Sequence, residues 1–128
     1  MGCDIEMYAE VNKNDKWELV KDGQFEYCVY DGRNYDLFAL LADVRNKNNI
    51  KPIVECRYLP DDCCEYVRDA FYNDCNIHSI NWYTLDELFK YKKEIEFISD
   101  CFWNNICKLL NYVKEDEKNI RIIFGFGN

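Results

Sequence analysis

The chain has 128 residues, 48% of them apolar, which makes it one domain by length and excludes disorder as its general state. Its formal charge of −8 disfavours direct binding of DNA or RNA, whose phosphates such a field repels. No apolar run is long enough to span a bilayer, and the opening Met-Gly-Cys-Asp lacks the basic and apolar regions of a secretory signal. Glu6 and Met7 stand where a myristoylation signal would need Ser or Thr. The eight cysteines are therefore expected to stay reduced and to serve as small hydrophobes in a cytosol.

Residues 3–11 alternate. Cys3, Ile5, Met7, Ala9 and Val11 point one way and Asp4, Glu6, Tyr8 and Glu10 the other, which predicts a half-buried strand. A turn over residues 12–15 leads to a return strand with Trp17, Leu19 and Val20, broken at Gly23. A short aromatic stretch, Phe25 to Tyr30, precedes the least ambiguous element of the chain. This is a helix entered at Asn34 or Tyr35 and left from Asn46 onward. In it Leu37, Phe38, Leu40, Leu41 and Val44 form one broad core-facing arc. Asp36 and Asp43 lie on its flank, roughly 10 Å apart along the axis.

Pro52 to Cys56 reads as a short edge strand. Leu59-Pro60-Asp61-Asp62 starts a helix through Cys64, Val67, Arg68 and Phe71, its acids suited to the positive end of the dipole. Residues 74–81 read as a loop or short extended segment, and Thr84-Leu85-Asp86-Glu87 as a capping box before Leu88. From Lys92 to Lys114 a single long helix is expected, and from Arg121 to Phe126 a terminal strand with Ile122, Phe124 and Phe126 on one face. Together these elements predict an α+β fold: a small antiparallel sheet with three to four helices packed on one side, in a single domain covering 1–128.

Four groups of residues are candidates for chemistry or binding. Asp4, Glu6 and Glu10 place carboxylates about 7 Å apart on one strand face, within reach of a shared cation or able to act as acid and base. The competing reading is a solvated strand face. Arg33, Asp36, Asp43 and Arg45 surround the central helix, either as a polar pocket for phosphate or carboxylate or as ion pairs fixing the helix to the sheet. His78, the only histidine, stands beside Cys75 in a run of soft ligands with Cys56, Cys63 and Cys64. The paired short spacings of structural zinc sites are absent, so buried thiols are expected there and no cofactor or metal is assigned. Trp82 and Tyr83 precede Thr84 as a staple on the following helix or a stacking platform. Gly125-Phe126-Gly127 ends the chain with no helix behind it, unlike a phosphate-binding loop.

Met1-Gly2-Cys3-Asp4-Ile5, Gly32 to Ala39 running on to Ala42-Asp43-Val44-Arg45-Asn46, Leu59-Pro60-Asp61-Asp62, His78-Ser79 before Trp82, and the ending from Arg121 to Asn128 together resemble a family of small tailed-bacteriophage proteins. Members typically open Met-Gly-Cys-Asp-Ile-His. Glu6 stands where the family has histidine, and Ile80 where a second histidine commonly follows the one matching His78. The resemblance implies phage origin and expression in the cytosol of a bacterial host, with no settled activity attached. With the acidic charge, it leads to an expected accessory protein that inhibits a bacterial defence component, for example a CRISPR or other nuclease, by covering a basic surface. The residues expected at contacts are Asp4, Glu6, Glu10, Arg33, Asp36, Asp43, Arg45, His78 and Trp82. The alternatives are a pocket lined by Arg33, Arg45 and aromatics that sequesters a nucleotide signal, a small metal-dependent or His/carboxylate hydrolase, and a structural accessory.

Overall fold

The computed structural model describes residues 2–21 and 28–128. The expected break at Gly23 and the first half of the aromatic stretch from Phe25 lie outside the described residues. β1 (Asp4–Lys13) and β2 (Lys16–Leu19) form the expected hairpin. Asn14 and Asp15 both take positive φ, 54° and 63°, the pairing that matches a two-residue turn to strand twist. β3 is Ile77–Thr84 and β4 is Ile120–Gly127. All pairings are antiparallel and the strand order is β2-β1-β4-β3. The fold is α+β, as the sequence predicts.

The sheet is covered on both faces, where helices on one side were expected. Its inner face carries Ile5, Met7, Ala9, Ile122, Phe124 and Phe126 into the main core. Helix α1 (Tyr35–Ala42) lies in that core, with every residue from Leu37 to Ala42 buried. Phe38 meets Phe126 edge-on at 4.9 Å. The outer face presents Tyr8, Leu19 and Ile123, and α2 (Glu65–Tyr72) closes over them with Val67 and Phe71. Gly125 belongs to this second layer: a Cβ there would overlap the Ile77 side chain. A strand buried on both faces cannot alternate in polarity, and β4 is buried from Ile120 through Phe126.

Expected helix boundaries move at three places; the helix expected to start at Leu59-Pro60 begins only at Glu65, after a turn over residues 61–62. Asn34 caps α1 as foreseen, its side chain accepting from Leu37 N–H at 3.1 Å. The helix stops at Ala42, short of Arg45, because Asp43 turns left-handed (φ 57°) and returns its N–H to Ala39 and Phe38. The single helix from Lys92 is two, α4 (Lys92–Ile98) and α5 (Asp100–Val113). Ser99 breaks it in extended conformation while its hydroxyl accepts from Phe102 N–H at 3.1 Å. Asn34 donates to the Ile98 carbonyl that the break releases.

Pro52 to Cys56 is not a strand. The backbone bond of that loop to the edge of β3 runs from Tyr58 N–H to Ile80 O, beside a bulge between His78 and Asn81 that bends the edge away. Of residues 74–81, read as a loop or short extended segment, those from Ile77 are extended and run on to Thr84 as β3. The capping box at Thr84 is present and starts α3 (Leu85–Phe89), so the described residues hold five α-helices.

Candidate binding surface

The motifs at the start of the chain and around α1 converge at one corner. Arg33 pairs with Asp4 across the exposed end of β1, its Nε 3.2 Å from Oδ1. The Tyr35 hydroxyl accepts from Cys3 N–H at 3.1 Å, and the Arg45 guanidinium lies 5.5 Å from the Tyr35 ring centre. Burial pushes the Cys3 thiol up, while Arg45 opposes that shift. Arg33 and Arg45 are thus engaged with Asp4 and Tyr35. Asp36 and Asp43 face the loop after α1, accepting from Asn48 and Asn46 at 2.8 Å each. The four charges around α1 tie chain segments together.

The carboxylates of β1 separate into three environments. Asp4 is exposed at the corner. Glu6 is half-buried, and its carboxyl is raised by burial and by the neighbouring Asp74 charge. Glu10 is fully buried and faces Arg121, its cross-strand partner on β4. Arg121 Nε donates to Glu10 Oε1 at 2.7 Å, and Nη2 lies at the same distance without hydrogen-bonding geometry. Glu10 Oε2 accepts from Cys64 N–H at 2.6 Å, and Arg121 Nη1 reaches Asp62 at 3.0 Å. Both contacts lie at the start of α2, so one buried ion pair pins that helix to the sheet.

Aromatic rings extend this centre. Arg121 stacks on Trp17 at 3.9 Å and lies 5.5 Å from Trp82, which also carries Arg57 at 4.8 Å. Arg57 forms a two-bond fork with Glu87, at 2.9 and 2.6 Å. Trp82 therefore packs on the outer face, while Tyr83 turns inward and donates to Leu41 O at 2.6 Å. Sequence reading missed Arg57, Arg121, Trp17 and Glu87 as a group, because contacts such as Glu10 to Arg121 span 111 residues.

The fork has a pH signature. Arg57 holds the Glu87 carboxyl down to about 2 from an ordinary 4.5. A carboxylate depressed in the fold stabilises it above the ordinary value, and that contribution is lost as pH falls through 4.5 towards 2. Glu87→Gln is expected to lower the urea midpoint at neutral pH and to leave it almost unchanged near the lower value. Equal losses at both pH values would contradict this origin.

His78 sits at the inner edge of β3, 6.3 Å from the Phe126 ring, with Nδ1 3.0 Å from the Ser79 hydroxyl. The Cys75 side of that run is exposed, and Cys56 donates its thiol to Ile80 O. Among the described residues no group of three or more His, Cys, Asp or Glu side chains is placed to hold a metal ion. No helix among them is long and apolar enough to cross a membrane.

The strongest surface feature is on α2 and the turn before it. Between residues 59 and 76 the chain has five carboxylates, Asp61, Asp62, Glu65, Asp69 and Asp74, against the single Arg68. That segment alone carries −4, half of the chain's −8. Tyr72 is 71% exposed and Tyr66 43%, so rings stand among the acids. Arg68 folds back onto the carbonyls of Asp61 and Cys63, at 3.0 Å each. No family model matches the chain, and neither a curated protein nor a solved structure matches it.

Proposed function

We propose that the chain is a binding module, a phage accessory protein acting in the bacterial host cytosol, whose α2 face covers a basic, nucleic-acid-binding surface of a host defence component such as a nuclease. The observation that carries this reading is the α2 face: residues 59–76, which span α2, its lead-in turn and the turn after it, hold half the net charge, interleaved with exposed tyrosines. Tyr and carboxylate together suit a lysine- and arginine-rich partner, and such a field speeds encounter while making it salt-sensitive. The polar residues at the corner and in the buried centre are engaged within the chain, which leaves the α2 face as the better candidate for outside contacts. Expression of the chain in hosts carrying single defence systems is expected to raise phage plating on at least one of them. The Asp61→Lys/Asp69→Lys variant is expected to abolish the rise. No rise on any defended host, or a rise that the variant retains, would overturn the reading.

A further inference from the structure

Resting on that reading, we propose that the cleft between β2 and the start of α2 seats an arginine side chain of the partner. The cleft holds about 620 Å³, within the range of pockets that enclose a ligand group, and is lined by Trp17 from one wall and by Asp62, Glu65 and Tyr66 from the other. Trp17 already carries Arg121 at 3.9 Å, and that guanidinium is neutralised by Glu10 and Asp62. Trp82 shows what the chain does with such a ring: it accommodates both Arg57 and Arg121. A partner guanidinium between Trp17 and Tyr66 would stack on an indole and donate in its own plane to the α2 carboxylates. An ammonium cannot do both, so lysine is the poorer occupant. Lys16, Glu18 and Lys21 line the β2 wall, a net positive charge, which makes the α2 wall with Asp62 and Glu65 the favourable side for a cation. Arg68 also lines the cleft but is turned onto backbone carbonyls.

The test is titration of the whole isotope-labelled protein with tri-arginine amide, tri-lysine amide and ATP, followed by amide and indole resonances. Tri-arginine is expected to shift the Trp17 indole and the amides of residues 64–68, and to bind about fivefold tighter than tri-lysine. Tyr66→Ala is expected to remove that preference and Tyr66→Phe to keep it. Equal binding of the two peptides, or shifts spread over the acidic face without Trp17, would overturn the proposal. ATP shifting Trp17 in place of tri-arginine would make the cleft a nucleotide site and overturn it too. Should the peptide preference fail while a defended host is still overcome through Asp61 and Asp69, the cleft inference falls and the binding-module reading stands. The reverse pattern separates them the other way.

Discussion

Glu10→Ala is expected to cost about 3–5 kcal/mol of folding stability, the range for removing one partner of a buried ion pair. The carboxylate is fully buried and takes three contacts, two from Arg121 and one from the Cys64 N–H. Without it, Arg121, itself 2% exposed, retains Asp62 and the Trp17 ring but loses its nearest counter-charge. Replacing both members, Glu10→Leu with Arg121→Leu, is expected to cost less than Glu10→Ala, because no buried charge is left alone. The Cys64 N–H still loses its acceptor, so recovery is incomplete. Urea unfolding of the three proteins reads this directly. A loss below about 1 kcal/mol for Glu10→Ala would mean that water reaches the pair and that α2 is held by its apolar contacts alone.

A loss of similar size is expected on the other face. Phe38→Ala should cost about 3–5 kcal/mol, the transfer term plus the cavity left under the sheet. Phe38 is fully buried, with ring contacts to Phe126 at 4.9 Å and Tyr35 at 5.7 Å. Phe38→Leu keeps most of the volume and should cost less, about 1.5 kcal/mol or below. A fall in the urea midpoint at unchanged slope is the expected form of both results. Near-equal stability of wild type and Phe38→Ala would remove α1 from the centre of the core.

How far the residues revealed this depended on whether the signal was local. The face of α1, the cap at Asn34 and the capping box at Thr84 each lie within about two turns of chain, and the structure has all three. The strand β1 is where the alternation placed it, though it is not half-buried, since Met7 to Val11 are buried on both faces; Ile122, Phe124 and Phe126 do share the inner face. The break at Ser99 was hidden because Ile95, Ile98, Phe102 and Ile106 keep a helical period across it. Ser99-Asp100, a cap residue followed by an acid, was the signal available. β3 was obscured by its bulge, where Ser79 takes φ 55° and interrupts the alternation. Glu10 looked like its neighbours Asp4 and Glu6, since nothing near it in sequence announces Arg121 or α2. The acidity of α2 was legible in a window of the chain, and only the fold shows that it forms one exposed face.

Affinity capture from a lysate of the defended host tests the docking of that face most directly. Wild type and Asp61→Lys/Asp69→Lys are compared at low and raised salt, both substitutions being at exposed positions clear of the Glu10–Arg121 centre. Wild type is expected to retain a nucleic-acid-binding defence protein and to release it as salt rises, and the variant never to retain it. Retention of the same protein by the variant, or retention indifferent to salt, would contradict that docking.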